Sequence, residues 1–323
     1  MAYPWENWVL EQTRARDITA VETVQSLWGG YGELLRVSLE AGPAESVILK
    51  RVAPPPIDRE SESDQRKRRS YQVERNWYRE GASHCDEQCR VAHCWGEASD
   101  GEGSLLLLED LGCSGFLPYR NPGIHRLRSG LGWLAHFHAR FLGKIPKGLW
   151  ERGSYWHLGT RREQWRDTPP GPLKEHAEKL DACLRTAQFQ TLLHGDPKPP
   201  NFCWRDNHPA AVDFQYVGAG CGIRDVSLYI SRCLTERSMR ECDKWLDYYF
   251  GELRSALECL NRGQFATAVE ADWRPRFPAA WADYARFCAG WSPGYRADEF
   301  TMLMLERALG PGVLYPAENR PTC

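Results

Sequence analysis

The chain reads as an α+β protein in two parts: a small strand-rich part over residues 1–110 and a larger, mostly helical part over 111–323. Three observations predict this division. Before Gly112 the sequence carries five short β-type runs and a single helical stretch. After Asp110-Leu111-Gly112, apolar residues recur at helical spacing in one segment after another. A length of 323 residues suits two domains at roughly 150 residues each.

Each element can be justified in order. Val21 to Trp28 is a mixed apolar run, Gly29-Gly30-Tyr31-Gly32 is a turn signal, and Leu34–Leu39 resumes the β pattern until Ala41-Gly42-Pro43 breaks it. Val47–Val52 is a third strand, ended by Pro54-Pro55-Pro56. Residues 61–82 read as a helix, with Ser61, Ser63 and Asp64 as capping and dipole-matching residues. Its Arg66-Lys67-Arg68-Arg69 run reads as a solvated face. Two further strands are expected around Cys89–Trp95 and Ser104–Glu109. Helices are expected over 124–142, 172–187, 239–261 and 279–291; only 190–217 interrupts them, with β-like runs at Thr191–Leu193 and Ala210–Val212.

Composition narrows the function. A net charge of −2 supplies no basic field for a nucleic acid or an acidic membrane surface. No run approaches the roughly 18 apolar residues of a membrane span, and Met1 to Asn7 lacks a secretory pattern. The twelve cysteines are therefore expected as free thiols in a cytoplasmic protein. His84, Cys85, Cys89, His93 and Cys94 offer soft metal ligands, but without C-x-x-C spacing. Fourteen tryptophans, several of them late in the chain, point either to helix packing or to an aromatic wall for an apolar or cationic ligand.

The chemistry concentrates in Leu193-His194-Gly195-Asp196-Pro197-Lys198-Pro199-Pro200-Asn201 and Val212-Asp213-Phe214-Gln215. Phosphoryl transfer from ATP needs a carboxylate to orient the acceptor hydroxyl and hard oxygens to hold Mg²⁺ on the phosphates. Asp196 suits the first task; Asn201 and Asp213 suit the second. The three prolines stiffen the loop. Lys198 could place positive charge against the transferring group or could be a solvated loop residue.

This H-x-D-x-x-x-x-N pattern followed by an apolar run and D-F resembles the catalytic segment of the protein-kinase-like superfamily, specifically the aminoglycoside phosphotransferase and choline kinase group. Val212–Gln215 with Asp225, Ser70–Glu74 continuing to Trp77-Tyr78, and Leu107–Leu111 look most like its ecdysteroid-kinase-like branch. The resemblance covers about residues 25–295. It implies a two-lobed kinase-like fold, with ATP and Mg²⁺ as cofactors and a small hydroxyl-bearing acceptor. Carried over residue by residue, it makes Lys50 the strand lysine that neutralises the α- and β-phosphates and Glu74 its helix partner. The backbone of Glu109, Asp110 and Leu111 would be the adenine hinge, Gly30 and Gly32 the glycine-rich loop, and Asp225 an anchor for the catalytic loop. His194, His136 and His138 are expected to be structural.

Departures from the pattern bear on regulation and mechanism. The glycine-rich loop is abbreviated, Gln215 stands where D-F-G has glycine, and Gly195 stands where protein kinases carry arginine, so switching by phosphorylation is not expected. The abbreviated loop keeps open a pseudokinase or nucleotide-binding scaffold. A protein acceptor is disfavoured, because Asp213 to Asp225 is too short for a peptide platform. For the acceptor site, Trp281, Tyr284 and Trp291 are the candidates. They favour an apolar or quaternary ammonium molecule (choline-like or sterol-like) over a polycation, since Glu270, Asp272 and Asp283 are too few for an acidic pocket. The oligomeric state is not legible.

Overall fold

The computed structural model describes residues 5–56, 61–99, 103–119 and 123–310. In chain order the first elements are α1 (Trp5–Thr13), β1 (Asp17–Ser26), β2 (Gly32–Glu40), β3 (Ser46–Val52), α2 (Glu62–Glu80), β4 (Cys94–Ser99), β5 (Ser104–Glu109) and β6 (Leu117–Pro118). Then come α3 (Gly123–Phe141), α4 (Arg162–Asp167), α5 (Pro172–Glu175), α6 (Ala177–Arg185), β7 (Thr191–Leu193), β8 (Phe202–Arg205), β9 (His208–Ala211) and β10 (Gly218–Gly220). The remainder is helical: α7 (Ile223–Cys233), α8 (Glu236–Met239), α9 (Cys242–Cys259), α10 (Ala266–Trp273), α11 (Phe277–Trp291) and α12 (Glu299–Leu309). No described helix is long and apolar enough to cross a membrane.

Two compact units result, and the division is discontinuous in sequence. The first takes Met1–Tyr119, Pro146–Leu149 and Phe202–Gln215; the second takes the rest. The first unit is built on an antiparallel sheet in the order β1-β2-β3-β5-β4. Side chains alternate between its faces. Val47 and Leu49 of β3 join Val37, Leu107 and Trp8 in one core cluster, under α1. Lys50 and Val52 therefore point to the opposite face, where Val52 packs with Tyr71 of α2. Ser61 caps α2 by accepting from the Asp64 N–H at 3.1 Å, with Glu62 and Asp64 in the first turn.

The late segment Phe202–Gln215 is held within this unit by several contacts. β8 and β9 form a hairpin whose β8 also pairs with β6, and the Ala211 N–H donates to the Arg90 carbonyl at 3.0 Å. Phe214 stacks on Trp77, with ring centres 4.9 Å apart, and Tyr78 meets it edge-on. The Ser70 hydroxyl donates to Gln215 Oε1 at 3.2 Å. The residue that replaces the glycine of D-F-G is thus a buried hydrogen-bonding group, and the phenylalanine before it is clamped.

The second unit packs helices around α3, α7 and α11, with the two-stranded β7–β10 sheet beside them. Several sequence expectations need correction. The strand expected around Cys89–Trp95 begins only at Cys94, because Asp86 caps a short turn of helix at Glu87–Cys89. The helix expected over 172–187 breaks at His176 into α5 and α6. Helices α1, α4, α7, α8, α10 and α12 and strands β6, β8 and β10 were not foreseen.

Candidate active site

In the second unit, β7 delivers the chain into the loop that carries Asp196. The turn requires glycine: Gly195 has φ +86°, and a β-carbon there would lie 2.1 Å from the Tyr216 carbonyl oxygen. This contact excludes arginine as firmly as any other side chain. Asp225, fully buried in the first turn of α7, fixes the loop from behind. Its carboxylate accepts from the backbone N–H of His194 at 2.6 Å and of Gly195 at 3.2 Å. His138 Nε2 lies 3.4 Å from it, and its other ring nitrogen meets the Tyr249 hydroxyl at 2.8 Å. His194 is buried, accepts from the Asp196 N–H through Nδ1 at 3.3 Å and sits edge-on to Trp133. His138 thus has both ring nitrogens, and His194 its Nδ1, in hydrogen bonds that hold the fold.

Asp196 is held differently. Lys198 Nζ donates to its Oδ2 at 2.6 Å, and Asn201 Nδ2 donates to the same oxygen at 3.1 Å and to the Asp196 carbonyl at 2.9 Å. A helical turn over Pro199–Asn201, with the Asn201 N–H on the Lys198 carbonyl at 2.8 Å, sets the amide in place. Lys198 is therefore an ion-pair partner of Asp196 and not a solvated loop residue. Because the Asn201 amide nitrogen is committed to Asp196, its amide oxygen is the group it can offer a metal.

Asp196 and Lys198 line a cavity of about 710 Å³ within the second unit. Trp281, Tyr284 and Trp291 all line it as well. Their environments differ. Trp281 is buried, donates Nε1 to Thr301 Oγ1 at 3.1 Å and meets Phe300 edge-on, so it is chiefly a core residue. Trp291 is 47% exposed and stacks on Phe287. Sequence reasoning missed Tyr155, Arg161, Tyr216 and Arg232 in the same wall. Burial pushes the Tyr155 hydroxyl far above its ordinary range, with Tyr284 and Asp196 adding to the shift.

The first unit holds a second charged cluster. Lys50 Nζ lies 2.6 Å from Glu74 Oε2 and 3.9 Å from Asp213 Oδ1. Burial works against the ammonium, but Glu74 and Asp213 outweigh it and hold the Lys50 pKa above its usual value. Burial pushes Glu74 up, opposed by Lys50. Asp213 adopts φ +65°, a strained value for a non-glycine residue, and its buried Oδ1 has no hydrogen-bond partner among the described residues. An anionic oxygen left in that state fits a divalent cation.

The remaining sequence candidates fall as follows. A β-carbon at Gly32 (φ +128°) would lie 2.1 Å from the Arg51 carbonyl oxygen, so the β2–β3 pairing itself demands glycine there. Gly30 (φ +75°) has nothing within 4 Å of such an atom, and its backbone is open to approach. The Glu109 carboxylate is engaged by Arg90, the His93 N–H and Ser114. Asp110 is engaged by Arg36, Ser46 and the Gly112 N–H. Beyond them, the buried Leu111 has its carbonyl taken by the Ser114 and Phe116 N–H groups. Both acidic side chains brace the 109–116 turn. Among the described residues, no group of three or more His, Cys, Asp or Glu gathers in a metal-holding arrangement. His84, Cys85, Cys89, His93 and Cys94 form no such group, and a hydrogen bond with Cys85, together with burial, pushes the Cys89 thiol well up.

Comparison with known proteins bears on this arrangement. Residues 124–260 match the sequence profile of the phosphotransferase enzyme family. No curated protein matches the chain. Among solved structures, a microcompartment-associated aminopropanol kinase superposes with a TM-score of 0.54 at 13% identity, covering 94% of this chain and 93% of that one. The partial match and the shared fold make the chain similar to the aminoglycoside phosphotransferase and choline kinase superfamily. An amicoumacin kinase solved with AMP-PNP and Ca²⁺ is similar to this chain at TM-score 0.51 and 17% identity, covering 95% and 92% of the two chains. Choline kinase from Cryptosporidium parvum gives 0.50 at 11% identity, covering 90% and 88%. The fold is protein-kinase-like, as the α+β reading of the sequence expects.

Proposed function

We propose that the chain transfers the γ-phosphoryl group of ATP to a hydroxyl of a small molecule, with Mg²⁺ as the metal. The observation that carries this reading is the Asp196 carboxylate, oriented by Lys198 and Asn201 in the wall of a roomy cavity. The first unit is the nucleotide-binding part and the second the catalytic and acceptor-binding part. A cytoplasmic setting suits the free thiols of the described residues.

In the proposed reaction the acceptor hydroxyl hydrogen-bonds to Asp196. As its oxygen forms the new bond to the γ-phosphorus, the proton passes to the carboxylate, and the bond from phosphorus to the bridging oxygen breaks to release ADP. Lys198, paired with Asp196, supplies positive charge near the transferring group. Lys50, fixed by Glu74, neutralises the α- and β-phosphates. The open backbone at Gly30 can approach phosphate, and the backbone over Glu109–Leu111 is the adenine hinge. Asp213 and the amide oxygen of Asn201 would hold Mg²⁺, which when bound supplies charge neutralisation on the phosphates. The likeness to the ecdysteroid-kinase-like branch favours an acceptor with an apolar body.

The test is ADP release from MgATP with a panel of hydroxylated metabolites, run beside Asp196→Asn. Acceptor-dependent release by the parent chain and its loss in the variant is expected. MgATP binding with no acceptor-dependent release across the panel would favour the scaffold reading.

A further inference from the structure

An aromatic box for a quaternary ammonium offers its ring faces to the ligand. In this cavity those faces already meet a cation of the chain itself. The Arg161 guanidinium lies 5.7 Å from the ring centre of Tyr155 and 5.5 Å from those of Phe287 and Trp291. Arg161 is buried, and its Nε donates to the Tyr155 carbonyl at 2.7 Å, which fixes it in the wall. Arg232 lines the cavity too. Two carboxylates line it as well: Asp196, whose Oδ2 is paired with Lys198 and bonded to Asn201, and Asp298, which caps α12 by accepting from the Thr301 N–H at 2.7 Å; against them stand the cations Arg161, Lys198 and Arg232. The cationic charge of the lining at Arg161 and Arg232 would repel an ammonium group and attract an acid.

Resting on the phosphotransferase reading, we infer that the phosphate acceptor is a hydroxy acid with an apolar or aromatic body. Its carboxylate faces Arg161 and Arg232, its body lies along Trp291 and Tyr284, and its hydroxyl reaches Asp196. The planar guanidinium fork suits a carboxylate, and such charge-assisted pairs are the strong ones in partly desolvated sites.

The test uses the full chain with three probes that share one aromatic body: 3-phenyllactate (acid), 3-phenyllactamide (neutral) and phenylalaninol (cation). Calorimetry reads binding and mass spectrometry reads phosphorylated product. The acid is expected to bind about 10- to 100-fold more tightly than either analogue, as a charged hydrogen bond implies. Arg161→Gln and Arg232→Gln should each remove most of that preference. Arg161 is buried and its variant risks misfolding, so the exposed Arg232, with melting temperature as a control, keeps the test decisive. Equal or tighter binding of the amide or the amine overturns the inference, as does binding by none of the three. Selective binding of the acid without any phosphorylated product supports the charge preference and instead sinks the phosphotransfer reading.

Discussion

Asp225 and Asp196 sit on opposite sides of one glycine-turned loop, and both are buried. Asp225 receives two backbone N–H groups and faces the His138 ring, so its lone pairs are spent on the shape of the chain. Asp196 receives the side-chain donors Lys198 and Asn201, and it lines a cavity. Burial does not separate the two roles; the kind of partner does. A carboxylate bonded to main chain holds a fold, whereas one oriented by side chains on its own loop can be aimed at a ligand.

The largest expected effect separates these roles most directly. Asp196→Asn should lower kcat by about 10²- to 10⁴-fold and shift the melting temperature little. Retention of more than a tenth of kcat, or a collapse in melting temperature, would erase the distinction. Asp225→Ala should do the reverse, since it strands two buried N–H groups at about 1–3 kcal/mol each; urea unfolding reads the loss. Gly195→Ala should destabilise by about 1–3 kcal/mol through its φ and the Tyr216 carbonyl contact, and unchanged stability would mean that the loop is less tightly held than this geometry implies.

Smaller effects sharpen the picture. Asp213→Ala should weaken MgATP binding roughly tenfold more than Asn201→Ala, because a carboxylate brings a full charge to the metal and an amide only a dipole. Isothermal titration of both variants checks the order. Trp291→Ala should raise the acceptor KM by about two- to tenfold, as loss of one aromatic contact allows, with the KM for ATP unchanged. A lower melting temperature with both KM values unchanged would assign Trp291 to packing alone.

What the sequence disclosed follows how locally each feature is encoded. The Asp196–Asn201 contact spans five positions and was legible as a spacing. Lys50 and Glu74 are joined only by tertiary structure, and the resemblance to a family, not periodicity, pointed to the pair. Helix α7 went unforeseen although Ile223, Val226, Ile230 and Cys233 recur at helical spacing; its polar residues Arg224, Asp225 and Ser227 are buried by the surrounding fold, which the sequence alone does not disclose. The β8–β9 hairpin hides behind Pro209 and a turn at Asp206 with φ +57°. Nothing in Thr160-Arg161-Arg162 distinguishes the arginine stacked on three rings from its exposed-side neighbour; that difference exists only once α11 and Tyr155 are in place.

Trp291 also gives the cavity an optical readout. Among the described residues only Trp28 and Trp291 are tryptophans more than a third exposed, at 72% and 47%, and only the second lines the cavity. A quencher such as acrylamide should therefore report chiefly on these two indoles, and Trp28→Phe would leave Trp291 as the dominant quenchable emitter. A molecule seated against that ring would displace water from it, shift its emission to the blue and shield it from the quencher. Occupancy of the cavity could then be titrated in solution before any product is identified.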